Sequence, residues 1–142
     1  MSYCTVDDVK QLIPESTLRD LTQDDPEDLD FSIVVVNSAI KYATDKINAA
    51  IRGRYPLPLK QKVDFLKELA LDLVRYRLYS RRPDGGDLPS AVVDGKKSAE
   101  NDLKSISRGE LSLGIEDTQK PVDEAGPWRI KVQKRRFDGG MR

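Results

Sequence analysis

At the centre of the sequence, residues 61–81 read QKVDFLKELALDLVRYRLYSR. Apolar side chains occupy almost every side of a helix drawn through this stretch, which is typical of a helix with neighbours on several sides. The apolar positions are Val63, Phe65, Leu66, Leu69, Ala70, Leu71, Leu73, Val74, Tyr76, Leu78 and Tyr79. We therefore expect this helix to be the core element of the fold, and its partners must come from the rest of the chain.

Two short helices are predicted near the N-terminus. Thr5 and Asp8 have the spacing of a helix start, because a threonine hydroxyl can accept a hydrogen bond from a free N–H of the first turn. Pro14 ends that helix, and residues 15–22 predict one or two further turns. The side chains expected to face inward are Val6, Val9, Leu12, Ile13, Leu18 and Leu21.

A longer helix is predicted for about residues 31–52. Asp30 is the expected N-cap, and Gly53 is the expected left-handed terminator. Apolar residues recur there at steps of three and four, so one face of the helix packs and the other meets water. The inward positions are Ile33, Val36, Ile40, Ala43, Ile47, Ala50 and Ile51.

A fourth long helix follows the turn-rich segment PDGGDLPS, residues 83–90. Pro89 or Ser90 opens it, it continues to about Arg108, and Gly109 closes it. Its inward positions are Val92, Val93, Ala99, Leu103 and Ile106. Together these segments predict a mainly α fold, a small bundle of four to five helices.

The segment RYPLPL, residues 54–59, separates the 31–52 helix from the core helix. A proline fixes φ and lacks an N–H donor, so neither proline fits inside a helix. We interpret the segment as a short, stiff corner that sets the angle between the two helices. Its structural residues are Tyr55, Pro56 and Pro58. An ordinary interhelical turn remains the alternative.

Charge is unevenly distributed, although Lys+Arg and Asp+Glu both number 24. Residues 7–30 contain nine acidic side chains and only two basic ones, Lys10 and Arg19. Residues 129–142 contain six basic side chains and one acidic one. Such a chain can attract copies of itself head to tail, or the two clusters are simply solvated and screened. The acidic candidates for binding are Asp24, Asp25, Glu27 and Asp28.

The segment WRIKVQKRRF, residues 128–137, alternates apolar and polar side chains, which predicts a strand or extended arm with one apolar side. An isolated strand is not stable in water. We therefore expect it to pair with LSLGI, residues 111–115, or to be completed by another subunit. The basic residues of the segment could also dock on the acidic loop of a neighbour or bind nucleic acid. The candidate contact residues are Trp128, Ile130, Val132, Lys134, Arg135, Arg136 and Phe137. The expected division is a helical domain, 1–115, and a linker with a basic arm, 116–142.

Composition limits the chemistry. The chain has no histidine, and Cys4 is its only cysteine, so histidine-dependent catalysis and an intrachain disulfide are excluded. The acidic loop lacks the spacing and the glycine of an EF-hand. No secretory signal or bilayer-length apolar run is visible. We expect a cytosolic protein that is not an enzyme, with no catalytic, cofactor or metal site and no membrane contact.

Four separated motifs resemble a known family. They are MSYCTVDDVKQLIPE (1–15), GRYPLPL (53–59), LALDLVRYRLYSRRP (69–83) and ISRGELSLG (106–114). In this order they are similar to the small conserved proteins of Mu-like prophages, which are encoded in head and tail morphogenesis regions. In fold, that family resembles the helical head–tail connector (neck or adaptor) proteins of long-tailed phages, which form a ring beneath the portal, commonly of twelve copies.

The resemblance implies a structural virion protein that resides in the host cytoplasm before assembly and in the virion neck afterwards. The implied partners are further copies of the chain in a closed, commonly dodecameric ring, the portal protein, and tail-terminator or tail-tube-side proteins. DNA would pass through the lumen without sequence-specific recognition. The alternatives are a tail-completion protein at the same joint and a basic-tailed DNA-binding regulatory module.

Four arginines gather at the end of the core helix, and a ring protein gives them two possible roles. Arg75, Arg77, Arg81 and Arg82 could face the DNA channel or the portal. The C-terminal end of a helix and the packing of long side-chain stems also favour arginine at these positions. Because the overall charge is balanced, we favour structural or subunit contacts over DNA binding.

Overall fold

Five α-helices form the secondary structure of residues 2–81 and 86–115, which are the residues that the computed structural model of the chain describes. They are α1 (Val6–Leu12), α2 (Glu15–Thr22), α3 (Ile33–Ile51), α4 (Asp64–Tyr79) and α5 (Ser90–Ser107). These described ranges contain no β-strand. The prediction of a mainly α bundle of four to five helices is confirmed. The turn residues 82–85 and the predicted linker and arm, 116–142, lie outside the described residues.

Helix α4 is the core element, as its sequence predicts. It packs against α1, α2, α3 and α5. Leu66, Leu73, Val74 and Leu78 are completely buried, and each such aliphatic side chain contributes roughly 1.5–3 kcal/mol through removal of apolar surface from water. The helix is not covered on every side, because Phe65 in its first turn remains exposed. The other four helices are thus arranged around α4.

The N-terminal end of α3 differs from the prediction. Ser32, and not Asp30, is the N-cap: its hydroxyl accepts the N–H of Val35 at 3.3 Å. The carboxylate of Asp30 instead accepts the N–H of Phe31 at 2.8 Å. The N–H of Ser32 donates to the Thr22 hydroxyl at 2.9 Å, which fixes Ser32 beside the end of α2. The helix therefore begins two residues later than predicted.

The ends of α3 and α5 test the two glycines expected to terminate helices. Gly109 has φ of 79° and follows α5, so the prediction that it closes this helix is confirmed. The prediction for Gly53 is wrong, since its φ is not positive. After α3, the N–H groups of Arg54 and Tyr55 both donate to the carbonyl of Ile51 at 2.9 Å. That carbonyl holds the turn, so no left-handed residue is needed.

The long helices run antiparallel, and this gives the bundle two different ends. The corner joins the last turn of α3 to the first turn of α4, so the start of α3 lies beside the end of α4. We call that region, residues 23–34 and 77–81, the acidic end. The opposite region, residues 51–64 and 107–115, is the corner end. With 16 residues, α4 separates the two ends by about 24 Å.

Candidate interaction surfaces

The acidic loop, residues 23–30, is ordered by hydrogen bonds to itself and to the end of α4. The guanidinium of Arg81 donates to the Leu21 carbonyl at 2.7 Å and to both carboxylate oxygens of Asp24 at 2.8 and 3.0 Å. The Asp25 carboxylate accepts the N–H of Glu27 at 3.0 Å. Asp24 is therefore paired within its own chain, in a charge-assisted contact in which one guanidinium nitrogen reaches both carboxylate oxygens.

Two carboxylates of the loop take no part in the hydrogen bonds that hold it within the described residues. Glu27 and Asp28 are exposed, and their carboxylates have no hydrogen bond or ion pair with any residue in the described ranges. The loop still keeps its shape around them, because the Gln23 side-chain amide donates to the carbonyls of Pro26 at 3.3 Å and Asp28 at 2.5 Å. Of the four predicted acidic residues, Asp24 and Asp25 thus help to hold the loop, whereas the carboxylates of Glu27 and Asp28 face solvent.

Large apolar side chains are exposed directly after these carboxylates. Leu29 is 91% exposed, Ile33 is 56% exposed and Val34 is 78% exposed. The prediction that Ile33 faces inward is wrong, because it is the first residue of α3 and lies before the part of the helix that packs on the core. Several exposed apolar side chains in one short stretch are the kind of surface that another protein covers. We define the acidic-end surface as Asp25, Glu27, Asp28, Leu29, Ile33 and Val34.

A groove adjoins this surface between α3 and α4. Its volume is about 450 Å³. One wall consists of the α3 residues Val34, Val35, Ser38 and Ala39, and the other consists of Arg77 and Leu78 on α4 and Ser80 and Arg81 just after it. One wall is thus mainly apolar and the other carries two arginines. An apolar side chain that reached the groove from a partner would find matching contacts on the α3 side.

The arginines at the end of α4 are engaged inside the fold. Arg75 donates to the Ala91 carbonyl at 3.3 Å and lies 3.7 Å from the Asp72 carboxylate, whose pKa is raised by burial. Arg77 stacks on the ring of Tyr42 at 4.6 Å, a cation–π contact. Arg81 holds the acidic loop, as described above. Arg82 lies outside the described residues. The three described arginines therefore join helices and loops of one chain.

The corner is built around Tyr55. Its side chain is 1% exposed, and its hydroxyl accepts the N–H of Leu113 at 3.0 Å. Pro56 and Pro58 are exposed on the outside of the turn, and the Leu57–Pro58 peptide bond is cis. The buried phenol thus ties the segment after α5 to the turn before α4, a contact between positions 58 residues apart.

The last described residue also lies at the corner end. Ile115 lines a pocket of about 280 Å³ with Pro56, Leu59, Lys60 and Gln61. The predicted extended piece LSLGI forms no strand within the described residues, and Leu111, Leu113 and Ile115 pack against the core instead. The chain therefore leaves the described fold at the end of α4 opposite to the acidic-end surface.

A second groove, of about 480 Å³, lies between α3 and α5 and contains an ion pair. Lys46 Nζ lies 2.6 Å from Glu100 Oε2. This hydrogen bond lowers the pKa of Glu100 and raises that of Lys46. Lys96 also approaches Glu100, at 3.4 Å. With both charges paired, the groove is chiefly a joint between two helices.

Cys4 is buried, and the burial raises the pKa of its thiol to about 11. The Asp8 carboxylate adds to this shift and Lys67 opposes it. A thiol with such a pKa is almost entirely protonated near neutrality, so it has little nucleophilic character. Cys4 packs with Val9 and Ile13 in the core cluster, and its role there is to fill space.

Within residues 2–81 and 86–115, no three His, Cys, Asp or Glu side chains gather in a way that could hold a metal ion. None of the helices found there combines the length and apolar character that crossing a bilayer requires. The predicted contact residues of the arm, Trp128, Ile130, Val132, Lys134, Arg135, Arg136 and Phe137, lie outside the described part of the chain, so their role stays a prediction.

These observations define a small, mainly α-helical bundle protein with an acidic, apolar surface at one end and a tightly tied corner at the other. Its sequence matches the family model described as Bacteriophage Mu, Gp36 over residues 3–132, which is most of its length. The chain therefore belongs to this Mu-like phage family. No curated protein matches it.

Proposed function

We propose that the chain is a head–tail connector, a neck protein that forms a closed ring between the portal and the tail of a long-tailed phage. Membership of the Bacteriophage Mu, Gp36 family supports a role in a phage. The small helical bundle agrees with the fold that the connector resemblance implies. Its partners in this role are copies of itself, the portal protein and the proteins on the tail side, with DNA passing through the lumen.

The observation that carries the proposal is the exposed apolar part of the acidic-end surface. Leu29, Ile33 and Val34 expose more than half of their side-chain area each, next to carboxylates that have no partner in the described residues. A subunit in a ring contacts one neighbour with one face and the other neighbour with a different face. Leu29, Ile33 and Val34 are suited to one of these two contacts because they are not buried in the fold of their own chain.

The test is the location of the protein in particles. Cryo-electron microscopy of the virion neck, with labelling by an antibody against the chain, is expected to show a ring of the protein directly beneath the portal. A phage whose gene for this chain is deleted is expected to accumulate DNA-filled heads and separate, complete tails. Supplying the gene in trans should restore joined particles.

Other results point elsewhere. Protein attached to free tails and absent from filled heads would support the tail-completion alternative instead of the connector. Mature particles without the protein would contradict both structural roles. A purified chain that binds duplex DNA in a salt-sensitive complex, with normal particle joining in the deletion mutant, would favour the regulatory alternative.

A further inference from the structure

We infer that the acidic-end surface of one copy binds the basic arm, residues 128–137, of the next copy. The inference deepens the proposed function, on which it rests only in requiring that copies associate head to tail. It assigns separate roles to the acidic residues of one loop. Asp24 holds the loop on Arg81, while Glu27 and Asp28 receive the neighbour's arm.

The receiving surface has the chemistry that this occupant needs. Exposed Leu29 and Val34 lie within seven residues of the carboxylates of Glu27 and Asp28, for which the described part of the chain supplies no cation. Arg81 and Asp24 neutralise each other beside it. A partner must therefore bring apolar side chains and positive charges together in a short segment.

The sequence contains one such segment outside the described ranges. Residues 128–137, WRIKVQKRRF, begin with three alternate apolar side chains, Trp128, Ile130 and Val132, and continue with three consecutive basic ones. In the arm, the apolar and basic residues lie within nine positions, 128–136. On the acidic-end surface, the acidic and exposed apolar residues lie within a stretch of similar length, 25–34. Complementary charges of this kind set the orientation of a contact, and the buried apolar groups supply most of the affinity.

The positions of the two ends are suited to a contact that runs from one copy to the next. The described chain ends at Ile115, at the corner end, whereas the surface lies at the other end of α4, about 24 Å away along the helix. Twelve residues, 116–127, connect Ile115 to the arm and reach at most about 40 Å. That length spans the distance to the chain's own surface as well as to a neighbour's, so the mixing experiment below distinguishes the two. The arm would leave one subunit at its corner end and bind the next subunit at its acidic end. Such a contact is heterologous, because it joins two different faces, and it repeats from copy to copy.

Charge-reversed variants of the full-length chain test the inference. The surface variant carries Glu27→Lys and Asp28→Lys, and the arm variant carries Lys134→Glu and Arg135→Glu. Sedimentation velocity at low salt is expected to show concentration-dependent association of the unmodified chain that weakens as salt rises. Each variant alone should associate more weakly, on the order of tenfold, because like charges then meet at the contact.

Mixing distinguishes a neighbour's arm from the chain's own arm. In an equimolar mixture, the acidic arm of one variant meets the basic surface of the other, and the basic arm of the second meets the acidic surface of the first. Association is therefore expected to return in the mixture. A chain with both sets of changes should also associate.

The matched control carries Glu68→Lys and Glu110→Lys, the same change of net charge at exposed positions nearer the corner end. It should associate like the unmodified chain, and circular dichroism should show the same helix content in all variants. The inference is overturned if the surface variant associates normally, if the mixture stays dissociated, or if the unmodified chain is monomeric at every concentration. None of these results would remove the protein from the neck, which the particle images test separately.

Discussion

Tyr55→Phe removes one oxygen atom from the corner end and leaves the ring in place. The ring is 1% exposed, and the hydroxyl that would be lost accepts the Leu113 N–H at 3.0 Å. Leu113 is only half-buried, so water can partly replace the lost acceptor. The cost is then that of an ordinary hydrogen bond, about 1 kcal/mol in the free energy of unfolding. For a domain of this size, that corresponds to a decrease in Tm of about 4 °C.

Two measurements test this value. Urea unfolding gives the change in global stability, and amide hydrogen exchange gives the local effect. The Leu113 amide is expected to exchange about fivefold faster in the variant under native conditions, because its hydrogen bond is gone. Tyr79→Phe is the matched control: that ring is half-buried, and its hydroxyl forms no hydrogen bond with any residue in the described ranges. It should change stability by less than about 0.5 kcal/mol.

The reasoning fails if Tyr55→Phe is as stable as the unmodified chain and the Leu113 amide exchanges at its original rate. In that case the segment after α5 is held at the corner by its apolar side chains alone. If both phenylalanine variants lose the same stability, the loss does not come from the hydrogen bond to Leu113, because the Tyr79 hydroxyl has no such bond in the described ranges.

Three further predictions concern the core, an ion pair and the thiol. Leu73→Ala empties a fully buried site in the middle of α4, so urea unfolding should show a loss of about 2–5 kcal/mol. Glu100→Gln should lower the free energy of unfolding by less than about 1 kcal/mol at pH 7, since the pair with Lys46 is partly exposed. The pKa of Glu100 is lowered in the folded state. The stability difference between the two proteins should therefore be complete above the ordinary carboxyl pKa of 4.5 and vanish as the pH falls through the lowered pKa. Cys4, with a pKa of about 11, should react with a thiol reagent at pH 8 at least about a hundredfold more slowly in the native protein than in urea.

The helices were predictable where their signals are local. Thr5 and Asp8 form the reciprocal capping box that their spacing predicts, and both partners lie within one turn. Gly109 terminates α5 because a left-handed residue is needed directly after the helix. The apolar pattern of residues 64–79 identified the core helix because burial on several sides leaves few polar positions. Each of these signals depends on a few neighbouring residues.

The failures arise where a distant residue decides between local options. Asp30 and Ser32 are both good N-caps, and the choice depends on the Thr22 hydroxyl, which receives the Ser32 N–H from the end of α2. The later start leaves Ile33 in solvent, so the prediction that it faces inward is wrong, and the sequence did not indicate that Leu29 and Val34 are exposed beside it. The acidic loop itself was found from composition, but the sequence alone does not show that Arg81 lies against Asp24, 57 residues away.

The antiparallel arrangement of α3 and α4 links the two proposals physically. The acidic-end surface lies beside the last turn of α4, and Ile115, where the described chain ends, lies beside the corner that precedes this helix. Helix α4 therefore fixes the direction from the acidic-end surface to Ile115. In a heterologous assembly, the angle repeated from copy to copy decides whether the chain of subunits closes into a ring or continues as a filament. A charge pair at the surface can bring two copies together, but it does not fix that angle. The buried Tyr55 and its contact with Leu113 hold the exit of the chain to the corner. In the proposed connector, the acidic end therefore supplies affinity, and the corner end fixes the point at which the chain leaves each subunit.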